Sequence, residues 1–265
     1  MSKGFALITG ASTGIGAVYA DRLARRGHDV ILVARSADKL EALAQKLRAE
    51  HGRTVEVIPA DLGKRDDLVR IETVLRTDDR ISLLVNNAGV GGDNATLNSD
   101  PDKMSEMIAL NVEALTRLTL AAAPAFVARG NGTIIQIASI VAIAPEILNG
   151  VYGGTKAYVL AFSQNLQSQL GEKGVRIQVV MPGATATDFW DISGTPLAHL
   201  PTEIVMPAPD MVDAALAGLD QGEFATIPAL EDAGQWEAYE GARQALMPNL
   251  SRQAPATRYR SVKAD

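Results

Sequence analysis

Tyr152 and Lys156 stand four residues apart in Tyr152-Gly153-Gly154-Thr155-Lys156, a stretch that reads as helix, so a phenol and an ammonium share one side of a single turn. A free tyrosine gives up its proton only near pH ~10 and is a poor acid or base at neutrality. A positive charge held beside it stabilises the phenolate and lowers that value, which makes the side chain a usable proton donor and acceptor. Taken alone the pair is weak evidence, and its company in the chain decides what it means.

The elements around the pair bring further polar groups toward it. Thr133 to Ala138 reads as a strand with Ser139 at its C-terminal end, followed by a loop from Ile140 to Gly150 and then the helix of Tyr152 and Lys156, which runs to about Gly171. In doubly wound sheets ligands bind at the C-terminal edge of the strands, where Ser139 falls. A long helical pattern from about Pro101 to Arg129 carries Asn111 in its interior. Asparagine is a poor helix former with no apolar packing to offer, which invites a functional role, although a solvated or capping amide answers equally well.

Upstream, Phe5-Ala6-Leu7-Ile8-Thr9 is an apolar strand that enters Gly10-Ala11-Ser12-Thr13-Gly14-Ile15-Gly16 and a helical pattern through Arg26. Strand, glycine turn and helix suit a pyrophosphate, because the missing side chains let it approach backbone N–H groups at the positive end of a helix. Asp29 to Val33 is the next strand and ends in Ala34-Arg35-Ser36, where an adenosine ribose would lie. An acidic residue there would bind a ribose 2′-OH, whereas a guanidinium favours a 2′-phosphate and therefore NADP(H), with NAD(H) still possible; the alternative is a solvated arginine after a strand. Asp61-Leu62 follows the strand Thr54 to Pro59, and Asp61 either accepts from an adenine amino group or caps the helix starting near Lys64. Ile81 to Val85 is a strand ending in Asn86-Asn87-Ala88-Gly89, and Val175 to Val180 one ending in Met181-Pro182-Gly183-Ala184-Thr185-Ala186-Thr187.

Six short strands alternating with helices, and a seventh at Phe224 to Pro228, predict an α/β protein: one doubly wound, Rossmann-like domain with a seven-stranded parallel sheet and helices on both faces. The domain is expected over residues 1–248, with a polar tail over 249–265. Residues 188–209 carry Phe189, Trp190, Leu197 and Leu200 among glycine and prolines, and read as a lid over a substrate cleft or as a packed surface segment. Trp236, Tyr239 and Leu246 fall on one face of a later helix, as core, subunit contact or cleft wall.

Composition excludes several other chemistries. The chain of 265 residues is 47% hydrophobic and 21% charged, as ordinary globular proteins are. A net charge of −6 speaks against nucleic acid and anionic membrane as partners. There is no cysteine, and His28, His51 and His199 lack ligand spacing, so no metal site is expected. No stretch has the pattern of a secretory signal or of a membrane span, so a cytoplasmic location is expected.

Over residues 4 to 228 the chain resembles the short-chain dehydrogenase/reductase family. Thr9-Gly10-Ala11-Ser12-Thr13-Gly14-Ile15-Gly16 is similar to the family's cofactor fingerprint with three residues between its first glycines, which argues against the sugar-nucleotide epimerase branch. Asn86-Asn87-Ala88-Gly89 resembles the segment that steadies the sheet and lines the adenosine side, and Asp61 the adenine-contacting aspartate. Asn111, Ser139, Tyr152 and Lys156 match the family's catalytic four. Pro182, Gly183 and Thr187 look like the segment that meets the nicotinamide, and Arg35 like the arginine of NADP-preferring members, although Thr13 stands where some of those add a second basic residue. The resemblance implies reduction of a carbonyl, or oxidation of a secondary alcohol, by hydride transfer with NADP(H). In it Tyr152 gives the proton, Lys156 lowers its pKa and bonds the ribose, Ser139 holds the substrate oxygen and Asn111 supports a relay water. It also implies a homodimer or homotetramer acting on a small molecule. Alternatives are a 3-oxoacyl thioester reductase, disfavoured because residues 188–209 hold no lysine or arginine, and a non-catalytic NADP-sensing protein.

Overall fold

The computed structural model describes residues 2–92, 96–194 and 196–259. Seven parallel strands form one sheet in the order β3-β2-β1-β4-β5-β6-β9: β1 Phe5–Thr9, β2 Asp29–Ala34, β3 Val55–Pro59, β4 Ile81–Asn86, β5 Gly132–Ile137, β6 Val175–Val180 and β9 Ala225–Thr226. A parallel sheet needs crossover connections, and the helical periodicity between strands supplies them. These are α1 Gly14–Arg25, α2 Ala37–His51, α3 Arg65–Thr77, α4 Pro101–Ile108 with α5 Leu115–Arg129, α6 Gly150–Leu170 and α8 Ala208–Gln221. A second pair of two-residue strands, β7 Thr185–Ala186 and β8 Met206–Pro207, brackets the short helix α7 Phe189–Ile192.

The sheet is apolar on both faces because successive side chains along a strand point to opposite sides. In β1, Ala6 and Ile8 face one way and pack with Tyr19, Leu23, Leu40, Leu47 and Leu216 of α1, α2 and α8. Phe5 and Leu7 face the other way, with Leu68, Ile71, Leu118, Phe126 and Leu166 of α3, α5 and α6. Each fully buried leucine or isoleucine contributes about 1.5–3 kcal/mol, so these two layers set the crossover geometry. The sheet also carries a polar clamp. Asn86 Nδ2 donates to Thr119 Oγ1 at 2.9 Å and to Gln136 Oε1 at 3.0 Å, tying β4 and β5 to α5.

The long helix expected over 101–129 is unbroken, and its hydrogen-bond pattern changes midway: α4 passes through a π-helical turn over Ala109–Ala114 into α5. A π turn widens the helix by one residue and shifts its hydrogen-bond ladder. Asn111 sits in that turn.

By its contacts the chain divides into Met1–Pro228 and Ala229–Asp265. The second unit contains α9 Ala233–Leu246, started by Asp232, whose carboxylate accepts from Gly234 N at 2.9 Å. Trp236 and Tyr239 stack with ring centroids 5.5 Å apart, and no residue of α9 is buried, so the aromatic stripe is not core.

Candidate active site

The sheet order reverses between β1 and β4, and the segments after β1 to β6 that hold Gly10, Arg35, Asp61, Asn87, Ser139 and Pro182 leave their strands at the C-terminal edge, while Asn111, Tyr152 and Lys156 come from helices. A cleft of about 620 Å³ runs along this edge, from Arg35, Asp61 and Leu62 past Gly10, Ser12, Thr13, Gly14 and Ile15 to Ser139, Tyr152 and Lys156. Asn87, Ala88, Gly89, Pro182, Gly183 and Thr187 complete its wall. Two expected residues stand outside that wall, Gly16 and Asn111, and both are buried behind it.

The turn after β1 is built for close backbone approach. Gly10 and Gly14 have φ of +65° and +55°, a region that costs a side chain dearly, and a Cβ on Gly10 would lie 2.8 Å from Asn87 Nδ2. On Gly16 it would lie 2.3 Å from Gly10 O, so Gly16 lets α1 start directly against the strand end. Thr9 Oγ1 accepts from both Asn87 N and Ala88 N at 3.0 Å, and Asn87 Nδ2 donates to Thr9 O at 2.9 Å. This lattice locks the β1 and β4 ends together. Thr13 precedes α1 without a side-chain cap, and the first turn carries no acidic residue, so its N–H groups and positive dipole end suit an anion. The residues therefore fit a dinucleotide, with pyrophosphate at Gly10–Ile15 and adenosine toward Asp61.

At the adenosine end Arg35 is exposed, and Lys39 lines the same wall from the first turn of α2. Sequence reasoning missed Lys39, although its place one turn after Arg35 is a signal for a second cation on that side. Asp61 does not cap α3. Its carboxylate accepts from Gly63 N at 3.1 Å in a local turn, and the side chain stays on the cleft wall.

At the other end α6 is capped by Asn149, which lies within the stretch expected to be loop. Its Oδ1 accepts from Val151 N at 2.8 Å and Tyr152 N at 3.3 Å, and its Nδ2 donates to Ser99 Oγ at 3.1 Å. Asparagine in this capping role fixes where the helix starts and thus where Tyr152 points. Asn111 Oδ1 accepts from Val90 N at 2.9 Å, and its Nδ2 donates to Val90 O at 2.9 Å and to Thr155 Oγ1 at 3.2 Å. It joins the π turn to the loop after β4 and to α6. Lys156 Nζ donates to Ile137 O at 2.9 Å and lies 5.7 Å from the Tyr152 ring centroid.

The lowering of the phenol pKa expected from Lys156 does not set the balance here. Burial lifts the Tyr152 pKa well above the ordinary phenol value, and only the hydrogen-bonded Ser139 hydroxyl pulls it back. Burial also pushes the Lys156 ammonium down to about 8. The physical reason is that both groups are enclosed, and burial disfavours the charged form of each. At neutrality the phenol holds its proton.

A doubly wound sheet with a glycine-turn cleft at its switch point defines a dinucleotide-binding protein. The sequence profile of the short chain dehydrogenase family matches residues 4–195, and the chain belongs to that family of oxidoreductases, which bind NAD(P). Among solved structures it is similar to a short-chain dehydrogenase from Sphingobium yanoikuyae in complex with NADPH, at 46% identity and a TM-score of 0.93, over 97% of this chain and 100% of that one. It is also similar to the bulky-bulky ketone specific alcohol dehydrogenase from Comamonas testosteroni, at 43% identity and a TM-score of 0.90, over 98% of this chain and 99% of that one. Human 17-beta-hydroxysteroid dehydrogenase type 3 is 37% identical over 69% of this chain and 59% of its own length. The very-long-chain 3-oxoacyl-CoA reductase of Anas platyrhynchos is 36% identical over 71% of this chain and 62% of its own. The chain thus spans about three-fifths of these two relatives. Among the described residues no helix is long and apolar enough to cross a membrane.

Proposed function

We propose that this protein interconverts a bulky, uncharged ketone and its secondary alcohol with NADP(H), using Tyr152, Ser139, Lys156 and Asn111. The observation that carries the substrate class is the lining of the cleft beyond Ser139. Ile140, Val141, Leu148, Phe189, Trp190 and Ile204 form it, while among the residues lining the whole cleft the basic ones are Arg35, Lys39 and Lys156. Such a wall takes apolar groups on both sides of a carbonyl and offers nothing to a phosphate-bearing carrier. Similarity to an alcohol dehydrogenase named for bulky-bulky ketones supports this reading.

A bound reduced dinucleotide supplies the hydride. Ser139 and Tyr152 hold the substrate oxygen between two hydroxyls, and Tyr152 gives its phenolic proton to the alkoxide as charge develops. Lys156 and Asn111 hold the helix and loop in register behind the phenol and provide the route by which it is reprotonated. Arg35 and Lys39 receive a 2′-phosphate, which supports NADPH over NADH. Similarity to 3-oxoacyl-CoA reductases makes a 3-oxoacyl thioester the second reading. A homodimer or homotetramer in the cytoplasm completes the proposal.

The test follows NADPH absorbance against a panel of dialkyl and diaryl ketones, small ketones and 3-oxoacyl thioesters. Preference for ketones with two large flanks is expected. Preference for thioesters would replace the first reading with the second, and cofactor binding without turnover on any compound would remove both.

A further inference from the structure

Gly91 is not among the described glycines with positive φ, so its backbone does not require glycine. Its missing side chain is what the fold uses. A Cβ built on Gly91 would lie 2.6 Å from Phe189 Cζ, 3.0 Å from Ser193 Cβ and 3.2 Å from Phe189 Cε1. Carbon atoms pack at about 3.5–4.0 Å, so the ring of Phe189 occupies the space a methyl group would need.

Phe189 in turn meets the tyrosine of the site. Its ring centroid is 5.7 Å from that of Tyr152, tilted by 47°, within the range of favourable aromatic pairs. Both rings belong to one small apolar cluster with Val141 and Met107, separate from the two layers of the main core. The backbone behind Phe189 is tethered on the other side. Trp190 Nε1 donates to Thr185 O at 2.9 Å, and the buried Ser193 Oγ donates to Trp190 O at 3.0 Å. With α7 held there and Gly91 closing one side, the ring of Phe189 lies between Gly91 and Tyr152 and lines the same cleft as Tyr152.

We propose that Phe189 is a positioning and specificity residue: it braces the ring of Tyr152 and sets the width of the cleft beside the reacting carbonyl, and Gly91 sets where Phe189 stands. This rests on the ketone reductase reading and names the pair that admits a bulky flank. A side chain at position 91 drives the aromatic ring into the space of the larger substituent. A smaller side chain at position 189 widens that space and loosens the phenol.

The experiment compares wild type, Gly91→Ala, Phe189→Leu and the double variant, each loaded with NADPH, on a diaryl ketone and on a small dialkyl ketone, with melting temperatures measured in parallel. Gly91→Ala is expected to raise KM for the diaryl ketone at least tenfold while changing the small ketone's kcat/KM less than threefold. Phe189→Leu is expected to lower kcat on the small ketone, through the unbraced phenol, without raising KM for the diaryl ketone. The double variant should recover the diaryl KM, because the ring that the added methyl group displaces is gone, and the two substitutions should be non-additive in melting temperature. Equal losses on both ketones in Gly91→Ala, or additive effects in the double variant, would overturn the inference while leaving the ketone reading intact. A wild type that turns over neither ketone would overturn that reading and the specificity role with it, and non-additive melting temperatures would then show only the contact.

Discussion

Lys156 Nζ stands 5.7 Å from the centre of the Tyr152 ring and bonds the carbonyl of Ile137, the last residue of β5. A strand end therefore places the ammonium, and the helix turn between Tyr152 and Lys156 transmits that placement to the phenol. Burial dominates the electrostatics of both groups, which keeps the phenol protonated and brings the ammonium close to neutral pH.

Removing the phenolic proton separates chemistry from binding. Tyr152→Phe is expected to lower kcat by roughly a thousandfold or more, since it removes the phenolic proton proposed to reach the developing alkoxide, while NADPH affinity changes little. Stopped-flow turnover beside a fluorescence titration of NADPH reads both quantities, and a variant that keeps its turnover would remove Tyr152 from the mechanism.

Cofactor choice is expected to rest on the exposed pair at the adenosine end. Arg35→Ala should weaken NADPH binding by roughly ten- to a hundredfold, the scale of one lost charge-assisted contact, and leave NADH binding nearly unchanged. Lys39→Ala should do the same to a smaller extent, and both effects should shrink at high salt. Titration of each variant with both cofactors decides it; equal losses for NADH and NADPH would show that neither side chain reads the phosphate.

The lysine carries a stability signature. Its folded pKa of about 8 lies below the ordinary value near ~10.5, so between those two pH values the unfolded chain binds more protons and unfolding free energy rises with pH. That contribution is present above the ordinary value and is lost as pH falls through about 8. Denaturant unfolding of wild type against Lys156→Met from pH 7 to pH 11 should show the rise in wild type alone. Equal slopes would show that the ammonium is not buried in solution.

The lattice under the glycine turn is expected to be costly to break. Thr9→Val leaves Asn87 N and Ala88 N without their acceptor and should destabilise the protein by about 1–3 kcal/mol. NADPH binding should weaken as well, because the same hydroxyl aligns the two strand ends that line the cleft. Chemical denaturation and cofactor titration measure the two losses independently, and a stable variant with full affinity would show that the turn holds its shape without Thr9.

From the sequence by itself came whatever is local in the chain. Alternating β-branched runs and helical periods specify the strands and crossovers, because side-chain direction repeats every two residues in one and every 3.6 in the other. Gly10, Gly14 and Gly16 were legible for a similar reason, as were Tyr152 and Lys156, whose spacing is one helical turn. What only the tertiary structure decided depends on residues far apart in the chain. Burial from all sides sets the proton affinities of Tyr152 and Lys156, against the sign that their adjacency suggested. The bonds that tie Asn111 to Val90 and Thr155, the tether of Asn149 to Ser99 and the space that Gly91 leaves for Phe189 arise where separate segments meet, and no periodicity along the chain encodes a meeting of that kind.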